Sequence, residues 1–233
     1  MLSDLGFALR ALRRTPLFTT VAVLMLAAGM GLSMFMFSAM NTLAFQPLPF
    51  ADADRLVHVD RVGTRQNDNP SELSMKEFLE LREHQSSLES LAGFASGTMN
   101  ISGAEGAPER MAGAWISTDS FAVLGVAPVV GRDFGVADGF PGAPAVALIG
   151  HRLWELNFNA ADDIVGRSIR INGRVVEIVG VMPPKFAFPR EQSVWMPMAM
   201  DRALLDSPNA LEVEGFGLLR VDTSIAQAQY DLS

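Results

Sequence analysis

The chain has 233 residues, with 18 lysines and arginines, 26 aspartates and glutamates, and a formal net charge of −8. This acidic balance argues against nucleic-acid binding, because nucleic acids attract basic surfaces. Since the chain has no cysteine, it has no thiolate nucleophile, no disulfide and no cysteine-ligated metal site.

The most constraining feature is an apolar segment near the N-terminus. Residues 15–51 contain no charged side chain, and about 20 apolar residues suffice for a helix to cross a bilayer. We therefore expect a transmembrane helix over residues 15–46, beginning near Pro16, because proline is favoured at the first helical position. A buried core helix is rarely this long and free of charge. A cleaved signal peptide is disfavoured because the apolar segment is too long and Thr42–Ala44 is a poor cleavage site.

The charges on either side of this segment predict its orientation. Residues 1–14 carry three arginines and one acidic residue, whereas the remainder of the chain is acidic. By the positive-inside rule, residues 1–14 stay in the cytoplasm and the acidic bulk is periplasmic, which places the helix in the bacterial inner membrane. Leucines at helical spacing within residues 1–14 indicate either a helix in the membrane interface or the start of the membrane helix.

Small residues within the membrane segment indicate a partner helix. Ala27 and Gly31 are four residues apart, as are Gly29 and Ser33, and such spacing lets two helices approach closely. No ionisable residue interrupts the segment. Because a proton relay or a charged transport path usually requires one, we do not expect this helix alone to form such a path.

The remaining residues, 47–233, are numerous enough to form a domain with its own core. Pro47 and Pro49 are expected to end the membrane helix, because proline lacks the backbone donor and clashes with the preceding turn. The alternation of apolar and polar residues over Arg55–Val62 predicts a strand, and the polar residues 63–73 predict a loop.

Two capping boxes predict the starts of helices. Ser74 and Glu77 form the first, and Ser224 and Gln227 form the second. The second helix would begin only ten residues before the C-terminus, so we expect the chain to be a fragment or a truncated gene product. The expected inward-facing residues are Met75, Phe78 and Leu79 in the first helix and Ile225, Ala228 and Leu232 in the second.

Short strands and helices are predicted to alternate between these two points. Asn172-Gly173 separates the β-rich runs Ile169–Ile171 and Val175–Val181, which favours a type I′ hairpin. The pattern as a whole is typical of an α+β domain following one transmembrane helix. The other predicted elements are strands over 92–101 and 109–117, a helix over 119–124, a strand over 145–149, a helix over 151–158, and strands over 194–198 and 216–221.

Six segments in a fixed order carry a family resemblance. They are LRALRRTPLF (9–18), AAGMGLSMFMFS (27–38), QPLPFADADRLV (46–57), FAVLGVAPVVGRDF (121–134), PGAPAVALIGHRLW (141–154) and residues 164–189, which contain IVGRSIRING and VVEIVGVMPPKFAFP. No single segment is decisive, but the ordered set is specific. It resembles the N-terminal part of MacB/FtsX-type ABC transporter permeases, closest to the large permeases common in Acidobacteria.

This resemblance implies an architecture and a set of partners. In the family, a first membrane helix leads into a MacB-like periplasmic core domain, here residues 47–233, which returns to three further membrane helices. A cytoplasmic ATPase drives export or mechanotransmission, and the other implied partners are the lipid bilayer, a second permease copy, and a periplasmic adaptor or substrate protein. The chain departs from the family in lacking the three later helices, and Ser33 stands where the family often has asparagine.

The sequence contains no recognisable catalytic or metal-binding pattern. It lacks a phosphate-binding P-loop and a G-x-S-x-G nucleophile elbow. His58, His84 and His151 are widely separated, and the adjacent Asp162 and Asp163 do not face a common point. We therefore assign no catalytic, cofactor-binding or metal residue, and we do not expect an enzyme.

Two further groups of residues are interpreted as structural. The alternate methionines of Trp195–Met200 could bind copper(I), but we interpret the segment as an apolar strand. Pro197 places that strand at a sheet edge, since proline cannot donate to a ladder. The residues interpreted as specifying the fold are Arg167, Asn172 and Gly173, with Gly125, Gly131 and Gly166 at turns that need unusual backbone angles.

Two hypotheses about function follow from the sequence. In the first, the chain is the N-terminal portion of a permease subunit of an ABC-type export or mechanotransmission system. In the second, it is a stand-alone, membrane-tethered periplasmic binding or scaffold module without transport activity. The sequence names no substrate, and an exported enzyme is disfavoured because the catalytic patterns are missing.

A glycine substitution tests whether the connecting segment Pro47–Asp54 transmits motion. Replacing both Pro47 and Pro49 by glycine loosens this segment, because glycine removes the fixed backbone angle of proline. We expect the activity of the transport system to fall, while resistance of the chain to alkaline extraction from membranes stays unchanged. Normal activity in this variant would contradict transmission through the segment.

Overall fold

The computed structural model describes residues 16–44, 52–61, 71–102, 108–200 and 211–232. The chain forms two compact units, residues 1–49 and residues 50–233. The predicted interfacial segment 1–14 and the connecting prolines Pro47 and Pro49 lie outside the described residues.

The first unit contains one long helix, α1, over Pro16–Ala44. Its segment Pro16–Ser38 has 23 residues and a mean hydropathy of 2.0, so by length and composition it is suited to cross a membrane. None of the side chains of residues 16–38 is buried. The Ser33 hydroxyl donates to the Gly29 carbonyl at 2.9 Å, which satisfies this polar group within the helix, as a lipid environment requires.

The second unit mixes ten strands with short helices in its described residues. This composition confirms the predicted α+β class. The strands are β1 (Leu56–Val59), β2 (Leu73–Ser74), β3 (Leu88–Ser102), β4 (Glu109–Ile116), β5 (Val130–Gly131), β6 (Val146–Ile149), β7 (Ser168–Ile171), β8 (Arg174–Val181), β9 (Val194–Pro197) and β10 (Glu212–Leu219). The helices are α2 (Met75–His84), α3 (Ser120–Val123), α4 (His151–Phe158) and α5 (Ile225–Asp231), with 3-10 turns at Ala53–Arg55 and Val136–Gly139.

The strands form one sheet that partly closes on itself. Its order is β1-β10-β3-β4-β9-β6-β8-β5, and β7 pairs with both β3 and β8. The strands β3, β4, β9, β6, β8 and β7 therefore make a closed ring, which we call the barrel. Closure leaves these strands without a free edge along their paired lengths.

Three groups of buried side chains fill the domain. The barrel core is enclosed by the ring and includes Met99, Ile101, Ile149, Ile171, Ile178 and Val194. The aromatic core includes Phe94, Phe121, Phe134, Trp195 and Phe216. The helix core packs α2 and α5 against the sheet and includes Phe78, Leu88, Leu91, Val213 and Ala228.

Local sequence signals are largely confirmed. The Ser74–Glu77 and Ser224–Gln227 capping boxes are both formed. Asn172 and Gly173 have φ angles of 51° and 82°, as a type I′ turn requires at both central residues. The inward stripe of α5 is only partly correct, because Ala228 is buried whereas Ile225 is 61% exposed.

Several strand boundaries differ from the prediction. The strand predicted over 216–221 is β10, Glu212–Leu219, because Glu212 and Glu214 face outward on either side of the fully buried Val213. β3 begins at Leu88 rather than residue 92, and the short strands β2 and β5 were not predicted. Two-residue strands carry no periodicity of their own, so only their pairing with β10 and β8 defines them.

The prediction that Pro197 marks an edge strand is wrong. β9 lies between β4 and β6. However, β6 pairs only with Val194 and Trp195, so no described strand pairs with β9 on that side at Pro197. The next backbone donor, Met198 N, bonds to Ile116 O of β4 at 2.8 Å. The missing N–H of Pro197 therefore faces the unpaired side, and the ladder loses no bond.

Gly180 provides a test of how tightly the sheet is packed. A Cβ at this position would lie 2.8 Å from the backbone oxygens of Val130 and Arg132 and 2.8 Å from Leu148 Cδ2. The oxygens cannot retreat without disturbing the pairing of β5 with β8. We expect Gly180→Ala to lower the free energy of unfolding by roughly 1–3 kcal/mol, as measured by chemical denaturation.

The matched control is Gly135→Ala. At Gly135, the only atom of the described residues within 4 Å of an added Cβ is Asp138 Oδ2, at 3.7 Å. This variant is expected to change the unfolding free energy by no more than about 0.5 kcal/mol. Equal stability of the two variants would contradict the described packing at β8.

Candidate functional site

The structure does not bring the three histidines together. His58 Nε2 lies 2.9 Å from Asp60 Oδ1, and His151 Nδ1 lies 3.5 Å from Glu155 Oε1. His84 Nδ1 lies 2.9 Å from the Glu80 carbonyl oxygen within α2. Each histidine therefore contacts a neighbour on its own segment, and the described residues hold no group of three or more metal-ligating side chains.

The other candidate residues have structural surroundings. Met198 is fully buried in the helix core, where Met200 packs at its margin, whereas Met196 packs against the barrel core. The three methionines thus pack in two different cores, as expected of an apolar strand. Asp163 forms an ion pair with Arg167 four residues later. This ion pair stabilises a turn, so Asp163 has a structural rather than a catalytic role.

Among the described residues, long-range polar contacts are concentrated where the first and last segments of the domain meet. We call Asp52–Arg55 the entry segment and Leu219–Asp231 the exit segment. Both contact Ser86–Glu89, the residues at the start of β3, and we call this three-way contact the junction. The exit segment lies more than 100 residues along the chain from the other two parts.

Arg55 binds the entry segment to the other two parts of the junction. Its Nε donates to the Leu219 carbonyl at 2.9 Å, and its Nη2 donates to the same oxygen at 2.6 Å. The Arg55 guanidinium also forms an ion pair with Glu89. One planar cation thereby joins the end of β10 to the beginning of β3.

Arg220 and Asp231 bind the exit segment to the same place. Arg220 N donates to Ser87 O at 3.1 Å, and Arg220 Nε donates to Ser86 O at 2.7 Å. Asp231 Oδ2 accepts from the backbone N–H and the hydroxyl of both Ser86 and Ser87, at 2.8–3.1 Å. Helix α5 is therefore fixed at its C-terminal end as well as through Ala228 in the helix core.

These hydrogen bonds change the acidity of Asp231. The pKa of its carboxyl lies below the ordinary value of 3.8, first because the Ser87 hydroxyl donates to it and then because the Ser86 backbone N–H and hydroxyl do. A depressed pKa means that the carboxylate contributes to stability above pH 3.8. That contribution is lost as the pH falls through the lower value found in the folded state.

The junction could not be predicted from the sequence, because the residues that meet there are distant in the chain. One signal was nevertheless present. Asp231 lies at the C-terminal end of a helix, where the helix dipole disfavours a negative charge. An acid in this position indicates a compensating tertiary contact, which Ser86 and Ser87 provide. The Asp231 carboxylate accepts four hydrogen bonds and has a lowered pKa, which makes it a weak base, so the arrangement is suited to holding segments together.

An apolar helix of membrane-spanning length followed by an α+β domain defines a membrane-anchored protein with an extramembrane domain. The family model of the MacB-like periplasmic core domain matches residues 19–231. The chain therefore belongs to the MacB-like periplasmic core domain family, which is part of ABC transporter permeases. No curated protein sequence matches the chain.

Solved structures show the same fold. The extracellular domain of the noncanonic ABC-type transporter YknZ from Gram-positive bacteria has a TM-score of 0.55 and 16% identity, covering 76% of this chain and 86% of that one. The periplasmic region of MacB from Actinobacillus actinomycetemcomitans has a TM-score of 0.58 and 16% identity, with coverage of 76% and 79%.

A third structure agrees with these two. A domain of a putative permease protein from Porphyromonas gingivalis has a TM-score of 0.57 and 18% identity, covering 80% of this chain and 84% of that one. At these identities the similarity establishes the fold. Together with the family match, it supports a transporter-associated role, and the family is generally not enzymatic.

The acidity of Asp231 tests the junction directly. We expect carbon-detected NMR titration to give a pKa below 3.8 for this carboxyl. Ser87→Ala should move the pKa upward, because it removes the largest stabilising bond. Ser90→Ala, which removes a nearby hydroxyl that has no bond to Asp231, serves as the control. An ordinary Asp231 pKa in the unaltered chain would contradict the described contacts.

Proposed function

We propose that the chain is the N-terminal portion of a permease subunit in an ABC-type export or mechanotransmission system. In this proposal residues 1–14 lie at the cytoplasmic face, residues 15–46 span the inner membrane, and residues 47–233 form the periplasmic core domain. A cytoplasmic ATPase supplies the energy. The periplasmic domain acts on an adaptor or substrate protein, within a permease dimer.

The observation that carries the proposal is the extent of the family match. It begins within α1 and continues to residue 231, near the end of α5. The apolar helix and the domain thus belong to one family unit in that order. The order agrees with the permease architecture implied by the sequence resemblance, in which further membrane helices follow the domain.

The junction suggests how such a domain would transmit movement. The entry segment follows the connection from the membrane helix, and the exit segment would precede the next membrane helix in a permease. Arg55, Arg220 and Asp231 fix both segments to the start of β3. A displacement of either segment would therefore act on the same point of the sheet rather than on a free loop.

Several hydrogen bonds together hold the entry and exit segments to the start of β3. A hydrogen bond at a protein surface contributes only about 0.5–1.5 kcal/mol to stability, so no single contact holds the junction. The loss of one polar contact should loosen the junction without unfolding the domain, because the apolar side chains of the three cores stay buried. Coupling and folding can therefore be separated by mutation.

The gene provides the first test of the proposal. We expect the reading frame to continue past the codon for Ser233 into three further hydrophobic segments, and an ATPase gene to lie beside it. A stop codon at that point without such neighbours would instead favour the stand-alone periplasmic module. DNA sequencing of the locus distinguishes these outcomes.

A pair of arginine variants tests the coupling. In the permease expressed with its ATPase, Arg55→Ala is expected to lower ATP hydrolysis by the complex in nanodiscs several-fold, because the entry segment is no longer held. Co-purification of the ATPase should be retained. Arg61→Ala is the control, since it removes the same charge from the same end of the domain sequence, but Arg61 binds Ser71 and Glu77 instead.

The comparison between these variants decides the role of the junction. Hydrolysis that is retained in Arg55→Ala, or reduced equally in both variants, would contradict coupling through the junction. Circular dichroism and thermal unfolding of both variants check that the domain remains folded.

A further inference from the structure

A surface pocket lies at one mouth of the barrel. It has a volume of about 370 Å³, within the usual range for pockets that bind small groups. Most of its lining is apolar. The lining side chains used below are Trp115, Asp138, Phe140, Arg174, Met196 and Ala199.

Arg174 supplies an uncompensated positive charge to this pocket. It pairs with Ile171 across the β7–β8 hairpin, and Ile171 is buried in the barrel core. Paired residues lie on the same side of a sheet. Arg174 therefore lies on the inner side of the barrel, at its mouth. None of the described residues forms an ion pair or a hydrogen bond with the Arg174 side chain.

The pocket's acidic residue does not neutralise Arg174. Asp138 Oδ2 accepts from Arg132 Nη1 at 2.7 Å and from Gly135 N at 2.7 Å. Its pKa is lowered despite its burial, through the bond and charge of Arg132 and the Gly135 N–H. The side chain of Asp138 is only 12% exposed. Its charge is therefore already satisfied, and Arg174 remains the available ion.

Trp115 supplies a second unused donor. The indole N–H groups of Trp154 and Trp195 donate to the carbonyls of Ala161 and Phe188, at 3.0 Å and 2.7 Å. No described residue accepts from the Trp115 indole. Since tryptophan in a partly buried position usually finds an acceptor, this donor is open to an acceptor from outside the chain.

We propose that this pocket binds an extended segment of a periplasmic partner protein that presents a bulky apolar side chain next to a carboxylate. The apolar side chain would contact Met196 and Phe140, and the carboxylate would pair with Arg174. Charge complementarity favours this occupant, because Arg174 is the basic side chain in the described lining and the acidic Asp138 is already paired with Arg132.

A protein segment fits the site better than an enclosed lipid tail. Phe140 is 61% exposed at the pocket, and Ala199 is also exposed. The site is thus open to solvent, as a chain that continues past the pocket requires. That the occupant belongs to a partner protein rests on the proposed function, whereas the binding chemistry rests on the pocket itself.

Labelled peptides test this recognition. The probes are fluorescein-labelled Gly-Ser-Leu-Phe-Asp-Ser-Gly, its counterpart with Lys in place of Asp, and its counterpart with Ala-Ala in place of Leu-Phe. Binding to the full chain in nanodiscs is followed by fluorescence anisotropy. The affinity of the Asp peptide is expected to be about fivefold higher than that of the Lys peptide, as one exposed charge pair allows. The Ala-Ala peptide should bind more weakly than the Asp peptide.

Three variants separate the site from general charge. Arg174→Glu should reverse the preference between the Asp and Lys peptides. Arg170→Glu makes the same charge change on the other face of the hairpin, where Arg170 pairs with Val175 and Ser102, and should keep the preference. Ala199→Trp should weaken binding of the Asp peptide, because the larger side chain fills part of the pocket.

The outcomes are decisive in either direction. Equal binding of the Asp and Lys peptides, or equal effects of Arg174→Glu and Arg170→Glu, would overturn the proposal. Decanoate binding that Ala199→Trp abolishes, without binding of the Asp peptide, would identify a lipid site and also overturn it. The assay needs no ATPase, so its failure would leave the gene and coupling tests of the proposed function unaffected.

Discussion

The domain depends on one continuous strand, β3, which takes part in all three cores. Leu88 and Leu91 belong to the helix core, Ala92 and Phe94 to the aromatic core, and Met99 to the barrel core. The strand pairs first with β10, then with β4 and finally with β7. Its backbone hydrogen bonds therefore connect the junction at one end with the barrel at the other.

Glycines allow this strand to be packed closely. A Cβ at Gly93 would lie 2.6 Å from Val213 Cγ1 and 2.8 Å from Phe78 Cε2, and a Cβ at Gly97 would lie 2.7 Å from Trp115. The missing side chains thus make room for α2 and β10 at one point and for Trp115, beside the barrel mouth, at another. Gly93 therefore allows β3 to pack against α2 and β10, and Gly97 makes room for Trp115, which lines the proposed binding pocket.

What the sequence could predict was local. The capping boxes at Ser74 and Ser224, the hairpin at Asn172 and the boundaries of α4 all arise from residues within a few positions of each other. The long apolar helix α1 was equally clear, because an uncharged apolar segment of that length has few other structures. The glycines expected to need unusual backbone angles, such as Gly131 and Gly166, have φ values of 79° and 88°.

What the sequence could not predict were the long-range pairings. Barrel closure depends on the short pairing of β3 with β7, in which Ile101 faces Ile171 and Ser102 faces Arg170, and on hydrogen bonds between Asn100 and Asn172. A pairing this short leaves no periodic pattern in the sequence. The junction depends on a serine pair and an aspartate separated by about 145 positions. Since polar residues in loops are common, only the tertiary structure shows which of them meet. Only the structure likewise shows that Arg174 has no partner among the described residues.

Hydrogen exchange of the full chain under native conditions tests most directly whether β3 links the junction to the barrel as one unit. Amides that open in one cooperative unit share a single opening free energy. The structure predicts that the amides of Leu91 and Met99, in the two halves of β3, open with free energies within about 1 kcal/mol of each other. Independent opening of the two halves, with the barrel half protected while the half next to the junction exchanges freely, would contradict this account.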